Sequence, residues 1–246
     1  MATTPMSVPE AQASIGPIGR IIGAIISPKP TFADIARRPS WVAPFVLLCL
    51  LSLVVGALLG QKTDWRGFFE RQMNNSSRFD NMSQDQKDRV LDSQVKYAPK
   101  ISFAFGIVGA ALIVLFVAVV YWGAFNLFSG AGLGFGASFG ITSHAFVPAT
   151  IGNILAIVTL LLKSRGDVDP EHFLASNLAA FLPEGVPHWL EVLGQSMEIF
   201  WIWSLALVAI GFAAANPKKI KPGTAFLTVF GLWGIVVLCK VAWAAL

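Results

Sequence analysis

The chain has 246 residues, of which 55% are hydrophobic and only 13% charged, with a mean hydropathy of +0.65. Soluble domains carry about 25% charged residues, so a water-covered globule of this size is excluded and the bulk solvent is lipid. The net charge of +4 is diffuse along the chain and argues against a nucleic-acid partner.

Residues 1–14 are rich in Thr, Ser, Pro, Ala and Gln and read as a disordered N-terminus. Residues 15–40 read as a cytoplasmic, interfacial amphipathic segment. In "IGPIGRIIGAII" the isoleucines recur at helical spacing, which fits a short helix with that face in lipid or a helix packed on the bundle. Pro28 and Pro30 break this helix. Thr31 is placed to cap a second one, with Asp34 three residues on as an imperfect capping box. Arg37 and Arg38 end that turn near lipid phosphates, Pro39 stops it, and Trp41 sits at the interface, so the segment forms a foot leading into the first span.

Residues 41–246 read as an all-α, five-span transmembrane domain, with spans at about 41–60, 101–128, 138–162, 196–215 and 223–246. About 20 residues at 1.5 Å each cross the hydrocarbon core. The first apolar run begins at residue 41, and nothing before it has the layout of a cleavable secretory signal. Loop 61–100 is the one long polar stretch, with eight Lys/Arg and six Asp/Glu, and "SQDQKDRVLDSQVKY" within it reads as a helix capped by Ser83. The third span is polar on one side. It is preceded by "SGAGLGFGASFG", where Gly132, Gly136 and Gly140 read as a close-packing stripe rather than a dinucleotide loop, since no strand precedes them. In loop 163–195, Asp169 before Pro170 and Glu171 marks a helix start, with Phe173, Leu174, Leu178, Phe181 and Leu182 on its apolar face. Cys49 and Cys239 fall inside spans and read as small apolar residues.

The tight loop "NPKKIKPG" places residues 216–222 in the cytoplasm by the distribution of basic residues, and Arg37 and Arg38 agree. With five spans the N-terminus is cytoplasmic and the C-terminus outside. The eight bases of loop 61–100 oppose this assignment.

Several segments together, "SPKPTFADIARRPSWVAPFVLL", "SHAFVPATIGNIL", "SNLAAFLP" and "GFAAANPKKIKPGTAFLTVFGLWGIVVLCKVAWAAL", resemble the bacterial branch of the Yip domain family of Ypt/Rab-interacting membrane proteins. The likeness runs from about residue 20 to the end, apart from the long polar loop. It implies five helical spans, a cytoplasmic N-terminus and residence in the bacterial inner (plasma) membrane. Eukaryotic relatives act with small GTPases in vesicle traffic. Their cytoplasmic Asp-Leu-x-Gly-Pro motif has no counterpart here, so GTPase binding is not carried over, and the bacterial members supply no residue roles.

Two charges fall inside proposed spans. Glu198 lies 17 residues before Ala215 and Lys240 lies 16 after Thr224, so both stand ~25 Å from the same membrane face on adjacent helices. They either pair or reach the far interface separately, Lys240 by snorkelling. A second polar set is Asn126, His144 and Asn153, read as a ligand or substrate path or as interhelical hydrogen bonding. "DVDPEH" imitates the start of a calcium loop but lacks its glycine and final glutamate, so its acids read as helix capping. No H-E-x-x-H, G-x-S-x-G or P-loop is present, and no catalytic, cofactor or metal site is expected. The reading is a non-enzymatic membrane organiser or adaptor that dimerises through small-residue stripes. The alternative is a transport role, moving lipid or a small solute or serving as an accessory subunit of a transporter. The partners implied are the bilayer, a second copy, or another membrane protein.

Overall fold

The computed structural model describes residues 15–74, 79–170, 173–183 and 185–246; the N-terminus read as disordered lies outside them. Among the described residues the chain is helical, with only two isolated β-bridges. Helix α1 (Pro17–Ile26) and α2 (Pro28–Arg37) precede α3 (Val42–Lys62) and α4 (Trp65–Asn74). Helix α5 (Gln84–Ser129) is followed by α6 (Phe135–Ala145), α7 (Val147–Leu162), α8 (His188–Ser196), α9 (Ile199–Ala215) and α10 (Pro222–Ala244).

Helix α2 begins earlier than its sequence indicates. A proline in the first turn forfeits an N–H that has no helical partner anyway, so Pro28 and Pro30 open α2 as well as ending α1. Thr31 is therefore not the cap. It is buried inside the helix, and its Oγ1 donates to the Ser27 carbonyl at 2.8 Å. The apolar side of α2 faces protein rather than lipid, because Phe32 and Ile35 are fully buried and α2 packs on α9 and α6. The outward apolar face belongs to α1, where Ile18, Ile22 and Ile26 are 73%, 52% and 77% exposed.

Ser83 caps α5 as its sequence predicts, in a reciprocal capping box with Gln86. The polar stretch 61–100 is not a loop, however. It contains α4 and the first turns of α5, which runs unbroken through Pro99 for 46 residues, ~69 Å. Pro99 lies against Gly60 of α3, where a Cβ would stand 3.0 Å from the Pro99 carbonyl oxygen. An Arg66–Asp92 ion pair ties α4 to this projecting arm.

The third apolar stretch is two helices. Pro148 has no N–H for the carbonyl four residues earlier and its ring crowds that carbonyl, so the helix breaks at Phe146. In the glycine stripe, Gly132 is in a turn with φ 63°, Gly136 faces open space, and only Gly140 packs closely, against Ser40 and Ile35. Glu171 and His172 lie outside the described residues, and the described residues 173–177 do not form the helix expected after Asp169. Ser176 and Asn177 instead pair backbone to backbone with Glu198 and Ile199, Ile199 N to Ser176 O at 2.9 Å, and a 3₁₀ turn at Leu178–Phe181 and α8 lie between. Tertiary pairing overrode local propensity here.

Four helical stretches are long and apolar enough to cross a membrane: Val42–Lys62, the apolar part of Gln84–Ser129, Phe135–Leu162 and Pro222–Ala244. Two shorter apolar helices are α1 and α9; α9 has 17 residues, ~26 Å, and lies at the centre of the bundle. Phe212 stacks on Phe125 at 4.5 Å between centroids, and Gly211 lies beneath Phe32 and Ile141. The bundle has two distinct ends. At one, Asn216 Nδ2 donates to Ala131 O at 2.8 Å and the foot α1–α2 packs nearby. At the other, Lys62 Nζ donates to the Leu161 and Lys163 carbonyls at 3.2 and 2.7 Å.

Helices α3 and α5 cross with their backbones touching. A Cβ on Gly56 would stand 2.6 Å from Ser102 O and 2.9 Å from Gly106 Cα, while one on Gly106 would stand 2.9 Å from Ser52 O. Gly106→Leu should therefore cost more than the ~1–3 kcal/mol of ordinary overpacking, seen as a large fall in Tm in detergent. Gly231→Ala, in α10 with nothing nearby, should be neutral or slightly stabilising. A Gly106→Leu protein as stable as wild type would contradict the crossing.

Candidate functional site

The small residues at the α3–α5 crossing leave space beside it. A cavity of about 320 Å³ lies between α3, α5 and α7, walled by Gly56, Gly106, Gly109, Ala110 and Ala149, with Phe146 and Trp201 at its back. Its polar side chains already have partners. Asn153 Nδ2 donates to Ser52 Oγ at 2.8 Å, and Ser102 Oγ donates to the Gly56 carbonyl at 2.9 Å. A second cavity of about 230 Å³ shares Val55, Ala149, Asn153 and Trp201 with the first and extends to Ser176, Asn177 and Glu198. The two cavities adjoin at the four shared residues, and the second carries the more polar lining, with Ser176, Asn177 and Glu198.

Glu198 occupies the N-cap of α9, where its carboxylate accepts from the Phe200 and Trp201 amides at 3.1 and 2.6 Å. These amides have no intrahelical acceptor, so a carboxylate is favoured there by hydrogen bonding and by the helix dipole. Among the described residues no ion pair joins Glu198 to Lys240. Helices α9 and α10 are neighbours as the equal-depth argument requires, but Lys240 is exposed on the outer side of α10.

The set Asn126, His144 and Asn153 does not line one space. Asn126 clamps the α5–α6 turn, donating to Leu133 O at 3.0 Å and accepting from Leu133 N at 2.9 Å. His144 is buried on α6 with Nδ1 2.9 Å from Gly140 O. Asn153 alone lines the cavity.

At the opposite end the foot is held by a residue that sequence reasoning passed over. Arg20, on the face of α1 opposite the isoleucines, is buried, forms an ion pair with Asp34 at 2.7 Å and donates to Arg38 O at 2.9 Å and to Ser40 Oγ. A lone arginine in an isoleucine helix, with an acid 14 residues on, was the available signal. Arg37 and Arg38 are exposed; Arg37 Nε donates to Ala33 O. Trp41 meets Phe45 and Phe139 edge-on. The α3–α5 crossing was also missed, although Gly56-x-x-x-Gly60 and Ser102-x-x-x-Gly106-x-x-x-Ala110 carry the small-residue spacing that such contacts need.

This bundle of apolar helical spans with an N-terminal foot defines an integral membrane protein. The Yip1 domain matches residues 22–244, and the chain belongs to the Yip1 family of membrane proteins. It is similar to membrane protein YknW of Bacillus subtilis (strain 168), at 23% identity over 224 residues, which cover 89% of this chain and 87% of that one. No solved structure matches the chain.

The Arg20 and Asp34 side chains are 7% and 13% exposed. Asp34→Ala should leave a buried guanidinium without its carboxylate and cost about 3 kcal/mol, measured as a fall in Tm in detergent. Arg20→Met combined with Asp34→Leu should recover most of that loss. Losses that simply add in the double variant would show that the pair is not coupled.

Proposed function

We propose that this Yip1-family protein is a non-enzymatic organiser of the bacterial inner membrane, which crosses the bilayer five times and holds another membrane component against its helices. One observation carries the reading. Polar side chains within the apolar helices bond back to their own helix or to a neighbouring helix or turn instead of converging on a path. Thr142 donates to Ser138 O, Ser143 to Phe139 O and Ser204 to Phe200 O, each four residues back, beside the bonds of Asn126, His144 and Asn153. A solute route needs free polar groups facing a common space.

Five crossings follow if α9 counts as a short span. Its first residue is fixed to the end that carries Ser176, and Asn216, just after its last, is bonded to Ala131 at the other end. A buried helix shielded by its neighbours needs less apolar length than one facing lipid on all sides. The end bearing the foot and loop 216–221 carries Arg20, Lys29, Arg37, Arg38, Lys218, Lys219 and Lys221 against Asp34. Segments 62–100 and 163–198 carry ten bases against twelve acids. The rule counts bases in short loops beside span ends. Support for a cytoplasmic foot and an external C-terminus therefore comes from the three lysines of the tight loop 216–221 with Arg37 and Arg38, against the ten bases of the longer segments.

Helix α10 offers the docking face, with Leu227, Leu238 and Trp243 exposed at 75%, 69% and 81%. A photo-crosslinking side chain at Leu227 or Leu238, activated in native membranes, should give one discrete adduct. That adduct is either a second copy of this chain or one other membrane protein, and the latter would make the chain an accessory subunit. Adducts only to lipid, or solute flux through vesicles holding the pure protein, would contradict the organiser reading.

A further inference from the structure

The two adjoining cavities, taken as an inner and an outer lobe, have the form of a site for an amphiphile. Its inner lobe is walled by small and aromatic side chains, and its rim includes Phe105 and Ile113, 69% and 45% exposed on the outer side of α5. Those residues belong to an apolar stretch long enough to span a membrane, so the rim opens sideways onto acyl chains rather than water. At about 320 Å³ the inner lobe stands at the lower end of the ~300–1,000 Å³ usual for ligand pockets. That is room for one chain, with any second chain left in the bilayer.

The outer lobe selects the head. Two amides use only part of the acceptor capacity of the Glu198 carboxylate, which offers about four lone-pair sites. The N-terminus of α9 contributes roughly +0.5 charge, so the full negative charge of Glu198 leaves this lobe net negative. No Lys or Arg is among the residues that line it. Trp201, shared by both lobes, adds an aromatic face that favours a cation. An anionic head or a free fatty acid would meet like charge.

We infer that the two adjoining cavities are continuous and together bind one amine-headed phospholipid, with an acyl chain between α3, α5 and α7 and the ammonium group at Glu198. The inference goes beyond the organiser reading. It is read by bound lipid rather than by partner capture or flux, so either can fail alone.

The test uses the full chain in nanodiscs of equal phosphatidylethanolamine and phosphatidylglycerol. Native mass spectrometry should find one phosphatidylethanolamine retained per chain, at least fivefold over phosphatidylglycerol. Ala149→Phe, which adds bulk at a residue lining both lobes, should lower retention about tenfold. Glu198→Gln, which keeps a capping oxygen, should retain lipid but lose the head-group preference. A phosphatidylethanolamine with a photoreactive acyl chain, applied to wild type, needs no folded variant. It should label Phe105, Ala149 and Trp201 above the rest of the lipid-facing surface. Even labelling around the bundle, equal retention of both lipids, or unchanged retention in Ala149→Phe would overturn the site.

Discussion

Everything in this bundle is arranged around a contact between two backbones. Where Gly56 of α3 meets Gly106 of α5, neither helix has a side chain to hold the other away, and Ser102 fastens the crossing by donating to the Gly56 carbonyl. In lipid, helices gain little from hiding apolar surface from one another, so close van der Waals packing and interhelical hydrogen bonds must supply the association. The same small residues that allow the approach leave the adjacent wall low, and the cavity opens there. Packing and site are one feature of the sequence seen from two sides.

A second constraint acts on the chain before the first span. A buried arginine is tolerated only with its charge matched and its donors satisfied. Arg20 meets that condition by drawing together Asp34, the Arg38 carbonyl and Ser40. These lie on both sides of the α2 C-terminus, so α1, α2 and the lead into α3 are held as one piece. Phe32 and Ile35 then reach into the core beside α9, and the isoleucines of α1 are left facing outwards. The foot is therefore a wedge in the bundle as much as a surface anchor.

Much of the architecture was legible because hydropathy and length are strong signals in lipid: the long apolar runs, the Ser83 cap and the short lysine loop all read directly. What escaped reading depends on contacts distant in the chain. Residues 173–182 have the apolar spacing of a helix, yet Ser176 and Asn177 pair with the strand-like entry to α9 instead. Thr31 looks like a cap when Pro28 and Pro30 are read only as breakers. Glu198 was read by its depth along the helix, and depth does not say that two backbone amides hold the carboxylate. Of the polar trio, Asn153 was the member that reaches the cavity, and only the three-dimensional crossing of α3 over α7 gives it Ser52 as a partner.

The lysines of loop 216–221 and the central place of α9 support the proposal of an odd number of crossings with the foot in the cytoplasm. Epitope tags at both termini, probed with protease added outside intact spheroplasts, test it most directly. The account predicts that the C-terminal tag is removed while the N-terminal tag is protected until the membrane is opened. Removal of both tags, or protection of both, would contradict it.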